Sequence, residues 1–253
     1  MDKPNVVTAC VLIIGNEILS GRTQDLNLQY IAETLGEQGV TVQEARVIPD
    51  DHDVIVDAVN YARVTYDYVL TTGGIGPTHD DITAECIAAA FGVPLINHPE
   101  IENRIRARAA PPDVMASRLL MARVPAGATL IENSTGGPQG FSMNNVHVMA
   151  GIPAVLQAML PNIEFNGGDT VKSRSVRAFM GESEIATQLG ELQRQAPSVD
   201  IGSYPFHRDG IYGTTLVVRG TKLDEVEATV EEIRGIIRSR GSEPGEVNEG
   251  DGA

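Results

Sequence analysis

The chain has 253 residues, too many for a disulfide-stapled miniprotein and enough for one large domain or two ordinary ones. Hydrophobic residues at 42% and charged residues at 21% exclude global disorder, collagen-like and low-complexity classes. Lys+Arg 19 against Asp+Glu 34 gives −15 at pH 7, which opposes attraction to nucleic-acid phosphates or anionic lipid and suits a small ligand, with no nucleic-acid or membrane partner.

Val6 to Ile14 is a nearly continuous apolar, β-branched run ending at Gly15, the pattern of a strand buried on both faces. Leu28, Ile31, Ala32 and Leu35 then recur at helical spacing, and Gly36 and Gly39 punctuate the end before Val40 to Val47 resumes an extended pattern. Asp53 is positioned to N-cap a second helix carrying Ile55, Ala58, Val59 and Ala62, and Tyr68 to Thr72 reads as a third strand. Such alternation predicts an α/β fold, a mostly parallel sheet with helices on both faces. A helix follows over Thr83 to Phe91, ending at Gly92, and Glu100 to Met121 carries helical segments interrupted by Pro111-Pro112. Thr129 to Ile131 and Val146 to Met149 read as strands on either side of a glycine-rich loop, Asn133 to Gly140.

Pro161 to Gly168 has the polar, glycine-bearing character of a linker, so the first domain is expected over 1–165. A small α+β domain over 170–240 follows, with strands Ser173 to Phe179, Val199 to Ser203 and Thr214 to Val218 and helices Ser183 to Leu192 and Leu223 to Ile237. The apolar face of that last helix would pack on its own small sheet or serve an interface. The acidic segment 241–253, nearly free of apolar residues, is expected to be disordered.

Cys10 and Cys86 sit in apolar surroundings, where a reduced thiol behaves as a small hydrophobe, and form no metal or redox motif. No apolar run approaches the ~20 residues of a transmembrane helix, and Met1 to Pro4 is not a signal-peptide leader, so a cytoplasmic location is expected.

The strongest local signal is Thr71 to Asp81. Gly73, Gly74 and Gly76 directly after a buried strand let the backbone approach a ligand and turn amides toward an anion, with Pro77 following. A helix N-terminus near Asp81 adds a favourable dipole, and Thr72, Thr78 and Thr83 supply hydroxyls. The reading is a phosphate cradle, and it is neither a Walker A loop nor a dinucleotide G-x-G-x-x-G. The plainer alternative is a ligand-free strand-to-helix turn. Asp80 and Asp81 beside a phosphate would repel it unless a cation bridged them, as Mg²⁺ does with one or two carboxylates plus phosphates. Asp81 is equally placed to N-cap the Thr83 helix.

Two further loops, Gly15 to Gly21 and Pro49 to Asp53, fall at carboxyl ends of strands, where ligands gather in a doubly wound sheet. Glu17, Asp50 and Asp81 would thus converge, although Asp50 and Asp51 taken singly read as solvated turn residues. His79 is placed to contact phosphate or carry a proton, whereas His52, His98, His147 and His207 read as surface or satisfied core residues. No His-x-x-His or Cys/His metal spacing and no Gly-x-Ser-x-Gly elbow occurs.

Four strings, in order, resemble the N-terminal region of CinA-type competence/damage-inducible proteins, of the MoaB/Mog superfamily of molybdopterin-binding domains. They are Gly15-Asn16-Glu17-Ile18-Leu19-x-Gly21, Gly73-Gly74-Ile75-Gly76-Pro77-Thr78-x-Asp80-Asp81-x-Thr83, Asn133-x-x-Gly136-x-Pro138-x-Gly140 and Gly151-Ile152-Pro153. The similarity covers residues 6 to 160, and residues 172 to 240 are similar to the small KH-like domain that follows in that family. The resemblance implies a three-layer α/β/α domain that binds a phosphorylated pterin or nucleotide. It implies a metal-dependent pyrophosphatase acting on ADP-ribose and related dinucleotides, or, as in the Mog branch, adenylylation or carriage of molybdopterin. Eukaryotic FAD synthases have a related module. Carried onto this sequence, Asp81 and Asp50 would be catalytic. Asp80, Asp81 and Glu17 would hold a divalent metal such as Mg²⁺. Thr72, Thr78, Thr83, the glycine loop with Pro77, Gly15, Asn16, Glu17, Asn133, Gly136, Gly140, Gly151 and Pro153 would line the ligand. No haem, flavin or iron–sulfur cofactor is implied, and relatives with this fold form dimers or trimers.

This sequence departs from the family at two places. The usual aspartate beside Glu17 is Asn16, and the usual Pro-Gly-x-Pro-x-Glu string reads Ala150-Gly151-Ile152-Pro153-Ala154-Val155, which leaves a non-catalytic nucleotide-sensing module as a third alternative. The expected amidohydrolase domain of full-length CinA proteins does not follow, so deamidation of nicotinamide mononucleotide is not expected. Nucleic-acid binding is not expected of the second domain, which carries no Gly-x-x-Gly clamp.

Overall fold

A computed structural model of the chain describes residues 5–208 and 210–246. They form two compact units, Asn5–Gly168 and 169–246. In the first, the elements in order are β1 (Val7–Ile14), α1 (Asn16–Leu19), α2 (Asn27–Glu37), β2 (Val40–Ile48), α3 (His52–Thr65), β3 (Tyr68–Thr72), α4 (Thr83–Phe91) and β4 (Leu95–Asn97). Then come α5 (Pro99–Arg106), α6 (Pro112–Leu119), β5 (Arg123–Pro125), β6 (Thr129–Ile131), β7 (Gly140–Met143), β8 (Val146–Met149) and α7 (Pro153–Met159).

The main sheet has the order β2-β1-β3-β8-β7-β6, its first four strands parallel and its last two antiparallel to their neighbours. From β1 the chain crosses to β2 on one side and then to β3 on the other, so right-handed crossovers place α2 and α3 on opposite faces. Residues 9–14 of β1 are buried, as a central strand requires, and Leu12, Ile31, Leu70, Ile87 and Leu156 are solvent-free in one core. Each such side chain contributes about 1.5–3 kcal/mol by burial.

The register positions the loops. Ile14 pairs with Ile48, Ile13 with Thr72 and Thr72 with Met149, so four parallel strands end level at one edge. Here the chain leaves the sheet through Gly15–Gly21, Pro49–Asp51, Gly73–Ile82 and Ala150–Ile152.

Several sequence expectations need amendment. The N-cap of α3 is Asp51, whose carboxylate accepts from the amides of Asp53 and Val54, both at 3.1 Å; Asp53 lies in the first turn instead, where its charge suits the dipole. Ala32 faces solvent, and β1 starts at Val7. The sequence reading missed β7, which enters the sheet directly from the glycine-rich loop, and the β4–β5 ribbon. The interruption at Pro111-Pro112 holds, because Pro112 opens α6 at a position where no amide is needed.

The second unit contains β9 (Lys172–Ala178), α8 (Glu182–Gln195), β10 (Val199–Arg208), β11 (Ile211–Gly220) and α9 (Leu223–Ser239). Its antiparallel sheet has the order β10-β11-β9. Val226, Val230, Ile233 and Ile237 of α9 join Ile185, Leu189, Leu216 and Val218 in this unit's own core, so the apolar face of α9 is covered by its own sheet and α8. The hairpin β10–β11 extends well beyond the expected Ser203 and Thr214. Residues 241–246 are also ordered more than their composition suggests, because Gly245 exchanges two 2.9 Å backbone hydrogen bonds with Arg177; residues 247–253 of that expectation lie outside the described residues. No helix among the described residues is long and apolar enough to cross a membrane. Both cysteines are free and buried, their thiols pushed up to about 11 (Cys10) and about 12 (Cys86), first of all by burial.

His147 on β8 is only half satisfied. Its Nδ1 lies 2.8 Å from Ser142 Oγ, its Nε2 has no partner among the described residues, and the rings of Tyr68 and Phe165 flank it at 5.9 and 5.5 Å. Burial pulls its pKa down to about 4, so the native state holds His147 neutral while the unfolded chain takes up a proton below pH 6.5. Stability is therefore retained above pH 6.5 and falls between pH 6.5 and about 4, by about 3 kcal/mol from this group. In urea titrations at pH 7 and pH 4, His147→Phe should shrink the difference in unfolding free energy by about that amount; an unchanged difference would show that His147 does not control the acid limb.

Candidate functional site

The site begins where β1, β3 and β8 end. Gly73 has φ 100°, and a β-carbon on it would fall on the carbonyl oxygen of Ile14, while its amide donates to Met149 O at 3.1 Å. Gly74 has φ 66°, and a β-carbon there would fall on Thr83 Oγ1. Thr83, fully buried, donates from its hydroxyl to Gly73 O at 3.0 Å, and its amide donates to Gly74 O at 3.0 Å. These two glycines satisfy a packing demand that only a residue without a side chain can meet.

Asp81 is turned into the loop and does not cap α4. Its carboxylate accepts from Gly76 N at 2.7 Å, Thr78 N at 2.8 Å and Thr78 Oγ1 at 2.5 Å, whereas the N-cap position is Ile82 and has no side-chain bond. The expected capping role is overturned because two loop amides, closer and better aimed, hold the carboxylate. The cradle is consequently narrower than the sequence suggests. The amides of Gly73, Gly76 and Thr78 are spent inside the protein, and Pro77 has none. The loop amides without a protein partner among the described residues are those of Gly74, Ile75 and His79, the first two at the start of the loop that leads into the uncapped first turn of α4.

Asp50 accepts from Asn16 N at 2.8 Å and ties the loop after β2 to the loop after β1. Glu17 lies with its carboxylate oxygens 2.6 and 2.7 Å from where a β-carbon of Gly15 would stand. Gly151 packs on Gly73, its carbonyl accepts from Asn27 Nδ2 at 2.8 Å, and Pro153 opens α7. Asn133 folds its own loop, donating to Pro138 O at 2.8 Å and accepting from Thr135. Thr72 is buried in the sheet, and Gly140 opens β7 against Val148 O.

Asp80 is exposed with its carboxyl held below the usual range, by the Thr78 hydroxyl, its own amide and His79, whose Nδ1 is 3.9 Å away. Thr78 has one hydroxyl proton and its 2.5 Å bond goes to Asp81, so Asp80 is left with its own amide and a distant, exposed His79. Among the described residues no group of three His, Cys, Asp or Glu is placed to hold a metal ion. Asp80, Asp81 and Glu17 therefore do not by themselves form a metal cage, since Asp81 is held by the loop and Glu17 covers Gly15. What they fit is a cation shared with a ligand's phosphates, for which one or two carboxylates suffice.

A feature the sequence reading missed adjoins the loop. A cavity of about 580 Å³ opens between α5, α6 and the Asn133–Gln139 loop, with Ile101, Ile105 and Met121 as apolar wall and Arg104, Arg108 and Arg118 around it. A narrow cleft lined by Gly74, Gly76 and Asp81 has Met121 and Gln139 in common with this cavity, so the two adjoin. The only signal in the sequence was the local basic run Arg104, Arg106 and Arg108, which reads as a solvated helix face until the loop folds over it.

Residues 10–165 match the family model described as a probable molybdopterin binding domain, and residues 170–244 match the middle domain of FAD synthase. A protein of Archaeoglobus fulgidus is 34% identical over 197 residues, covering 77% of this chain and 84% of that one. A CinA-like protein of Syntrophus aciditrophicus is 32% identical over 215 residues, covering 77% of this chain and 50% of that one. The crystal structure of CinA from Thermoplasma acidophilum, described as of unknown function, superposes with a TM-score of 0.56 at 33% identity, covering 61% of this chain and 94% of that one. The chain belongs to the molybdopterin-binding-domain family, among its CinA-like members. It spans about half the length of that CinA-like relative.

Replacing Gly73 should be far costlier than replacing a glycine in open space. By chemical denaturation, Gly73→Ala should lose about 3 kcal/mol or more, from the left-handed backbone and the clash with Ile14 O. Gly21→Ala, at φ 70° with nothing within 4 Å, should lose about 1 kcal/mol.

Proposed function

We propose that the first unit binds the phosphates of a nucleotide or pterin at the Gly73–Asp81 loop and hydrolyses a phosphoanhydride such as that of ADP-ribose. The observation that carries this reading is the pair of unpartnered amides at Gly74 and Ile75, in the loop that joins the carboxyl edge of the parallel strands to the uncapped end of α4. Those amides and the first turn of α4 hold phosphate oxygens, and Asp81 keeps the loop in shape. A divalent cation carried in on the phosphates would be held by Asp80 and by the free lone pairs of Asp50, and would neutralise and polarise the phosphoryl group. In the hydrolysis the water oxygen bonds to one phosphorus, the bridging oxygen leaves with the other, and His79, beside Asp80, takes the proton released by water.

A second reading is adenylyl transfer to molybdopterin or its carriage. The saturation of Asp81 by three donors supports it, because binding then needs the loop but no metal cage.

Purified protein incubated with ADP-ribose, FAD or NADH and Mg²⁺, Mn²⁺ or Co²⁺ should release AMP, and none with chelator. Asp80→Asn should cut turnover at least tenfold with an unchanged melting temperature, whereas Asp81→Asn should lower both. Absence of AMP under every metal would replace hydrolysis with the second reading.

A further inference from the structure

Resting on the phosphate reading of the glycine loop, we infer that Arg104, Arg108 and Arg118 form a second anion subsite of the same site. The ligand is then a nucleotide or pterin bearing a further oxyanion, a phosphomonoester or carboxylate, apart from the phosphates on the loop.

Charge is the first argument. In a chain of net charge −15 no carboxylate among the described residues lines this cavity, yet three guanidinium groups do. Arg104 is spoken for, by Glu100 at 2.5 Å and by Gln139 Oε1 at 3.1 Å. Arg108 and Arg118 meet only backbone oxygens among the described residues, Gly136 O at 3.2 Å and Arg108 O at 3.5 Å. Each leaves most of its five donors, and its whole charge, without an acidic partner. Beside these solvent-accessible guanidinium groups, Ile101, Ile105 and Met121 offer apolar surface to the body of a ligand whose oxyanion the arginines would pair. A planar fork of this kind matches phosphate and carboxylate oxygens in pairs.

The second argument is that the loop is shaped to admit Arg108. Gly136 has φ 73°, and a β-carbon there would stand 2.7 Å from Arg108 Nη2. Asn133 and Thr135 fix the turn that presents Gly136. The third is adjacency. Gln139 is buried, donates to Ile131 O, accepts from Arg104 and borders both the arginine cavity and the cleft at Gly74 and Gly76, so the glycine loop and the guanidinium groups lie on either side of one side chain.

The two ends would recognise charge differently. At the loop the acidic Asp80 requires a cation, whereas at the arginines an oxyanion binds directly. Titration calorimetry on the full chain with NAD⁺, NADP⁺ and nicotinic acid adenine dinucleotide isolates the second group, since the last two differ from the first by one phosphate or one carboxylate. Wild-type protein should bind at least one of them about tenfold more tightly than NAD⁺, and which one distinguishes phosphate from carboxylate. The double variant Arg108→Gln, Arg118→Gln should erase that preference while its affinity for NAD⁺ and its circular dichroism stay unchanged. Equal binding of all three by wild-type protein, or a preference that survives the double variant, overturns the subsite and leaves the loop reading intact. Binding of none of the three overturns the loop reading and the subsite with it.

Discussion

Gly73 stands where three strands of the main sheet run out together, with no space for a side chain between its α-carbon and the Ile14 carbonyl. Its amide is tied to Met149 O at 3.1 Å, and Gly151 packs against it so closely that a β-carbon there would lie 3.3 Å away. That contact draws the ends of β1, β3 and β8 to one point. From it the rest of the edge is stitched outward: Thr83 to Gly73 O, Asn27 to Gly151 O, Asn16 N to Asp50. The parallel strands end level because their buried residues are in register, and the glycine lets their loops meet at that level.

Two neighbouring aspartates then divide the work. Asp81 is an internal strut: with three donors within 2.8 Å it cannot turn to a ligand without releasing Gly76 and Thr78, and the loop with them. Asp80 is the opposite case, exposed, ionised and held only lightly. In sequence the pair look interchangeable. In space one answers to geometry and the other to chemistry, which explains how a motif so rich in acids can border the proposed anion site.

The alternation of strand and helix was legible because β1, β3 and β8 leave apolar runs and β2 an extended alternating one, and every strand of the parallel core was found. Among the short strands β6 and β8 were found, whereas β7, read as the end of the glycine-rich loop, and the β4–β5 ribbon, beside prolines and helical segments, take their structure from neighbours. The local chemistry of acids was misjudged in the same manner twice. Asp53 and Asp81 each sit where a cap is statistically expected, and each lost the role because a neighbouring residue or a competing pair of amides had better geometry. The strand-edge loops that carry the candidate site were readable, but their convergence into a metal set was not, because backbone direction does not say where a carboxylate points.

The arginines illustrate the remaining blind spot. Arg104 and Arg108 lie four apart along α5 and its end, Arg118 on α6, and on paper all three belong to polar faces. They become one environment only because the chain after β6 turns tightly at Gly136 and returns through Pro138 and Gln139 before entering β7. An exposed charge is screened and contributes little to stability, but guanidinium groups without an acidic partner keep their donors free for an anion. In an acidic protein such an arrangement attracts what the rest of the surface repels, so it selects by itself for what the net charge would turn away. An anionic ligand must overcome the overall negative potential to approach, and a positively charged pocket next to amide donors gives it a local reason to stay.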